Sequence, residues 1–392
     1  MPRPDRLPFV DITRMHKPIA RELGDALSRV LASGRYLLGP ETEAFEAEFT
    51  RHEGGGHGVC CGSGSDALYL ALRSLSIGEG DAVVTVSNSF VATPEAIART
   101  GARVVFCDAD PRSRSLNPAD LAVILSEPGA EAIKAVIPVH LYGRRADTNG
   151  IREVLNSTGR SEITIIGDAA QSHGSPDVAL DADMTCYSFY PAKNLGALGD
   201  GGFVISKQRR HADRIRSLRN HGRAGKHNVA SVGVNSRFDE VQAAVLRIKL
   251  RSLREWTSQR RILAEAYRER LGGHSSLLTL PEDDPLHVYH LFVVELRAGS
   301  GSAERDRVFG QMIDEFKIGV GLHYPVPCHR MAPYPTERNL PVAEHLSDHV
   351  LSLPLFPGMT LDEVDRAATA LERVAGLGAP GVNRSFSTGA KS

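Results

Sequence analysis

The sequence predicts an α/β protein: a large domain on a mainly parallel sheet, followed by a smaller α/β domain. Three observations carry this. Short apolar runs at 82–86, 103–107, 135–138, 163–166 and 184–190 recur with helical periodicity between them, as strands joined by crossover helices require. At 392 residues the chain is longer than one ordinary core needs. Beyond residue 275 the rhythm changes. A strand at 288–296, an amphipathic helix at 304–316, a strand at 319–323 and helices near 343–350 and 361–374 suit a small antiparallel sheet with helices on it. The expected division is an N-terminal arm at 1–15, a large domain at 16–260, a small C-terminal domain at 261–375 and a disordered tail at 376–392.

The helices follow from apolar spacing. Ile19, Leu23, Leu27, Val30 and Leu31 recur three and four apart, and Ser33-Gly34 supplies a C-cap. A second helix starts at Glu41 with Phe45 and Phe49 on one face. A basic helix covers 208–219, and the glycine-containing loop 220–226 is expected to be mobile. Val241, Val245, Ile248, Leu253 and Trp256 mark the buried stripe of one long helix running towards Leu271, a spine between the two domains.

Composition removes several functions. Lys and Arg total 46 against 47 Asp and Glu, so no charge footprint for nucleic acid or an anionic membrane exists. No apolar run approaches the roughly 20 residues that span a bilayer. The first residues lack the apolar core of a signal peptide, which places the protein in the cytoplasm. Five cysteines (60, 61, 107, 186 and 328) match neither a disulfide framework nor a metal motif, and Cys60 and Cys61 read as small core residues. His323, Cys328 and His329 have no metal-ligand spacing, so no metal site is expected.

Candidate chemistry collects at strand ends. Residues 62–66, Gly-Ser-Gly-Ser-Asp, lead into a helix, and free N–H groups at Gly64 and Ser65 make an anion site there, though an ordinary Ser cap gives the same pattern. Phe90, His140, Asp168 and Lys193 all fall at the carboxyl ends of strands, where open α/β sheets bind ligands. Lys193 follows an aromatic strand that Pro191 stops, and small residues surround it. An amine in apolar surroundings has a lowered pKa and forms Schiff bases with aldehydes. Asp168 ends a strand of Ile and Thr, where a buried carboxylate needs a cationic partner; the protonated ring nitrogen of pyridoxal is one. Phe90 suits stacking on a flat ring.

Seven motifs, in order, resemble the DegT/DnrJ/EryC1/StrS family of sugar aminotransferases, which use pyridoxal phosphate on the aspartate aminotransferase fold (fold type I). They are Gly-Ser-Gly-Ser-Asp-Ala-Leu (62–68), Ser-Asn-Ser-Phe-Val-Ala-Thr (87–93), Pro-Val-His-Leu-Tyr-Gly (138–143), Asp-Ala-Ala-Gln-Ser-His-Gly (168–174), Ser-Phe-Tyr-Pro-Ala-Lys-Asn-Leu-Gly (188–196), Asn-Ser-Arg-Phe-Asp-Glu-Val-Gln-Ala-Ala (235–244) and Gly-Leu-His-Tyr-Pro-Val-Pro (321–327). The resemblance implies a seven-stranded sheet, Lys193 as the residue that holds the coenzyme aldehyde and Asp168 as the partner of its ring nitrogen. It implies Phe90 on one ring face and Gln171 on the other side. Gly64, Ser65 and Ser188 would hold the phosphate, with Asn235 reaching over from the second subunit of a homodimer. Substrate contacts would come from Tyr36, Tyr190, His323 and Tyr324. The sequence departs from the family's usual residues at Ser65, Val86 and Gly167, none of them a catalytic group.

The implied reaction moves the amino group of L-glutamate to a nucleotide-linked keto sugar in deoxyamino sugar biosynthesis, with Lys193 moving the protons. The 235–237 and 323–325 segments look most like members acting on a dTDP-3-keto-6-deoxyhexose. Amination at C4 of a dTDP-4-keto hexose or pentose is the alternative, and a non-catalytic coenzyme-binding regulator is the alternative of another class. The family's dehydratase branch carries His at the lysine position, so Lys193 argues against it.

Overall fold

Residues 6–225, 228–297 and 301–376 are described by the computed structural model. Seven strands form the large sheet: β1 His57–Cys61, β2 Ala82–Val86, β3 Arg103–Cys107, β4 Ile133–Ile137, β5 Thr164–Asp168, β6 Met184–Ser188 and β7 Gly202–Ser206. They lie in the order β1-β7-β6-β5-β4-β2-β3. Only β7 runs against its neighbours, pairing antiparallel with both β1 and β6.

The central strands are buried on both faces, which explains their unbroken apolar runs. Val84, Val136 and Ile165 point into one core layer, and Val83, Ala135, Ile137, Ile166 and Met184 into the opposite one, under helix Gly64–Ser74. A third cluster gathers Phe45, Phe49, Phe189, Phe203 and Phe238, with Phe49 and Phe203 ring centroids 4.9 Å apart. Phe189 belongs to it, so the chain just past β6 is anchored in an aromatic core. All five cysteines are buried and free. No helix of the described residues is long and apolar enough to cross a membrane.

The second sheet is antiparallel, in the order β10-β9-β8, from β8 Leu278–Thr279, β9 Phe292–Leu296 and β10 Val350–Leu353. Helices Leu253–Leu271, Ser302–Asp314 and Leu361–Val374 share a core with it through Leu263, Tyr267, Val308, Met312, Val364 and Leu371. Thr360 and Glu363 close the start of the last helix with a reciprocal capping box.

The structure corrects four expectations. The single spine helix is two, Glu240–Leu250 and Leu253–Leu271, because the halves serve different cores. The first packs against helices Ala20–Ser33 and Pro40–His52, the second against Leu361–Val374, and one straight rod reaches only one of these. Residues 319–323 are not a strand. Gly319 donates to Leu7 O and Gly321 to Ser352 O, so the segment is wedged between the N-terminal residues and β10 with one bridge on each side. In the first amphipathic helix the buried stripe is Leu23, Ala26 and Val30, and Leu31 is exposed. Residues 12–16 form a short helix, which Asp11 caps through Thr13 and Arg14 N–H. Of the tail expected at 376–392 all but Gly376 lies outside the described residues, as does Lys226 of the expected mobile loop.

Gly202 opens β7 against the loop that precedes helix Gly64–Ser74, and a methyl group there would overlap the Ser63 carbonyl. Gly202→Ala is therefore expected to lower unfolding free energy by about 3 kcal/mol. Equilibrium denaturation at wild-type stability would show that the contact is slack.

Candidate active site

A cavity of about 580 Å³ opens where the ends of β5 and β6 meet the start of helix Gly64–Ser74 and segments of the second core. Gly64, Ser65, Phe90, Asp168, Gln171, Ser188, Tyr190, Lys193, His323 and Tyr324 all line it. Ten positions marked in the sequence thus meet at one place.

Lys193 owes its position to a tight turn. Phe189 N–H donates to Gly201 O (2.8 Å), Lys193 N–H to Tyr190 O (2.8 Å) and Ala197 N–H to Phe189 O (2.7 Å). Gly196 lies so close to Pro191 that any side chain would strike the Pro191 carbonyl, so this turn demands glycine. Asn194 ties the turn to the second core, donating to Val288 O (3.1 Å) and meeting His290 Nδ1 (3.2 Å). Beneath it the buried Lys249 ammonium donates to Gly196 O.

The half-buried Lys193 amine is lowered from 10.5 to about 8, by desolvation first, with the Asp168 charge acting the other way. Asp168 is 6% exposed. Burial raises its pKa, opposed by a hydrogen bond from Thr93 Oγ1 (2.8 Å), one from Ala170 N–H (3.1 Å) and the nearby Lys193. One acid and one amine therefore share a poorly solvated space, each with its charge disfavoured by burial. His290 and His323 face the same amine, and desolvation together with the Lys193 charge lowers both, His323 to about 4. They are neutral at neutral pH.

At the other end, Ser63 caps the helix by accepting from Asp66 N–H (3.1 Å). The Gly64 and Ser65 N–H groups have no intrahelical acceptor, and the helix dipole adds positive potential there. A side chain at 64 would collide with Ser188, so glycine lets the end of β6 close on the helix start. Gln171 is fixed from both ends: Oε1 accepts from Tyr142 N–H (2.6 Å) and Nε2 donates to Tyr324 OH (3.1 Å). Phe90 is 55% exposed at the rim, its ring 5.8 Å from that of Tyr324.

Three marked residues lie elsewhere, one of them His140, which is buried outside the cavity lining with its Nδ1 accepting from Ala146 N–H (3.1 Å). Tyr36 is 51% exposed and Asn235 is exposed, and neither lines the cavity. Asn235 accepts from Arg237 Nε (3.1 Å). Others in the wall went unmarked: Phe9, which stacks on His323 at 5.6 Å, His290 and Arg260. Thr93, bonded to Asp168, stands three residues after Phe90, so the motif contained it without marking it. His323, Cys328 and His329 do not converge. His323 meets Ser352 Oγ (2.8 Å), Cys328 donates to Ser89 O, and His329 meets Glu344 (3.0 Å).

Known proteins place this arrangement. Over 93% of this chain and 95% of its own, the dTDP-3-amino-3,4,6-trideoxy-alpha-D-glucose transaminase of Streptomyces venezuelae is 39% identical. The UDP-N-acetyl-3-dehydro-alpha-D-glucosamine 3-aminotransferase of Acidithiobacillus ferrooxidans is 38% identical over 94% of this chain and 97% of its own. The crystal structure of S. venezuelae DesV with a ketimine intermediate superposes with a TM-score of 0.85 at 38% identity, covering 94% of this chain and 98% of that one. Fold and site together define an aminotransferase that works with pyridoxal 5′-phosphate. The chain belongs to the DegT/DnrJ/EryC1/StrS aminotransferase family, whose model matches residues 18–372.

Only the neutral amine reacts with electrophiles, and burial shifts that form to lower pH. Labelling of Lys193 in the coenzyme-free protein, read by peptide mass spectrometry, should rise with pH about a midpoint near 8. A midpoint at the ordinary lysine value would mean that water reaches the amine freely.

Proposed function

We propose that this protein transfers the amino group of L-glutamate to C3 of a nucleotide-linked keto sugar, with a dTDP-3-keto-6-deoxyhexose as the leading acceptor. The observation that carries it is Asp168 and Lys193 facing one cavity whose far end is a helix N-terminus. Both relatives compared above are named for amino transfer at C3, one on a dTDP sugar and one on a UDP sugar.

The cavity suits the coenzyme. Asp168 is a buried carboxylate that a protonated ring nitrogen would stabilise, and Gly64, Ser65 and Ser188 form a dianion cradle. Bound there, the coenzyme supplies an aldehyde and a ring that accommodates the electron pair left when a proton departs the donor carbon. Lys193 Nζ would hold the aldehyde and, when free, could take a proton from the donor Cα. Its lowered pKa suits both tasks, since a neutral amine is available near neutral pH. Asp168 would keep a bound ring nitrogen protonated, and the hydrogen bond from Thr93 favours the ionised carboxylate against burial. Phe90 and Gln171, both in the cavity wall, would border the ring, and Tyr190, His323 and Tyr324 would face the substrate.

Tyr36 and Asn235 are exposed and stand apart from the cavity of their own chain. A homodimer in which Asn235 reaches the partner's phosphate cradle and Tyr36 its substrate accounts for both.

The test is glutamate-dependent formation of pyridoxamine phosphate, followed by turnover with a 3-keto and a 4-keto dTDP sugar. Lys193→Ala should lose the absorbance of the lysine-bound coenzyme and lower turnover at least about a thousandfold. Retention of both would remove Lys193 from the reaction. Preference for the 4-keto sugar would move amination to C4, and coenzyme binding without amino transfer would favour a regulator.

A further inference from the structure

Arg260 lies on the inner face of helix Leu253–Leu271, 2% exposed, in the wall of the catalytic cavity. A guanidinium buried this far normally faces a carboxylate. None faces this one among the described residues, and burial alone lowers its pKa to about 9, which leaves it charged at neutral pH. The buried acid nearest Lys193, Asp168, is taken up by Thr93 and Ala170.

The guanidinium is only half used. Nη1 donates to the carbonyls of Leu355 (2.9 Å), Tyr289 (3.1 Å) and His290 (3.4 Å). Nε is buried without a partner, and among the described residues Nη2 makes no hydrogen bond. Nε and Nη2 form one edge of the planar group, with two parallel N–H bonds at the spacing of carboxylate oxygens. If its purpose were to tie three carbonyls together, a lysine ammonium with three donors would serve as well. His290, held through its carbonyl by Arg260, also faces Lys193, and all three residues line the same cavity.

We propose that Arg260 binds a carboxylate of the amino donor, side-on through Nε and Nη2; this rests on the aminotransfer reading above. L-Glutamate brings such a group and the 2-oxo acid carries it away, whereas the keto carbon of a sugar has none beside it. The same residue then helps one cavity accept two unlike substrates in turn.

Succinate, a dicarboxylate without an amine, tests this in the coenzyme-loaded protein, with binding followed by calorimetry. Wild-type protein is expected to bind it, Arg260→Lys to bind it at least about tenfold more weakly, and Arg260→Gln more weakly still. Arg260→Lys keeps the cation and can still reach the three carbonyls, so it decides the matter should Arg260→Gln not fold. In turnover the lysine variant should raise KM for L-glutamate, with amino transfer from the pyridoxamine form to the keto sugar little changed. Equal succinate affinity in wild type and Arg260→Lys overturns the proposal, as does wild-type protein that fails to bind succinate. An equal loss in both half-reactions overturns it too. Arg260-dependent succinate binding in a protein that takes no amine from L-glutamate would support the receptor and reject that donor.

Discussion

Keeping a carboxylate charged where water barely reaches it is the constraint on which the rest of the cavity depends. Isolated in that position, Asp168 would take up a proton, and its raised pKa reflects this tendency. Thr93 and Ala170 each contribute a hydrogen bond worth about 1.5–3 kcal/mol to a charged acceptor. Neither brings a positive charge. The positive charge that favours the ionised carboxylate comes from the nearby Lys193. Main-chain pairing fixes the carboxylate's place, since Asp168 N–H donates to Pro138 O and His140 N–H to Asp168 O. Gly167 permits it sterically, because a side chain there would press on His140 Nε2 at 2.9 Å.

Lys193 is governed from another direction. Its turn grows out of the phenylalanine cluster through Phe189, is closed by Gly196 and is tied to the second core by Asn194. The two reactive groups thus sit on different supports, one on the parallel sheet and one on an aromatic floor, and meet across the space between. Helix-start N–H groups at Gly64 and Ser65 add the third fixed element. Rigid backbone supplies all three, so little reorganisation is left for the moment of reaction.

The large sheet was legible because strands buried on both faces spell continuous apolar runs, and Lys193 and Asp168 were legible because they interrupt those runs at their ends. The split spine was not. Both halves keep helical spacing, and only their partners, distant in sequence, require the break at Arg251 and Ser252. Residues 319–323 have only isolated bridges beside them, and a ladder needs neighbours, which spacing does not reveal. Arg260 was missed among the many arginines of its helix. Its register gave a signal all the same: it falls on the stripe of Leu253, Trp256, Leu263 and Tyr267, where a charge has to be explained. Tyr36 and Asn235, marked by the resemblance alone, lie outside the cavity of their own chain.

The N-terminal residues have a temporal consequence. Leu7 bridges Ile318, Phe9 stacks on His323, and Arg14 grips Glu363, 349 positions further on. During synthesis residues 7–14 stay without these partners until residues 318–363 have been made. Phe9 belongs to the cavity wall, so a nascent chain can complete its sheet and seat Lys193 while one side of the cavity stands open. Closure of that side thus waits until residues 318–323 have been made.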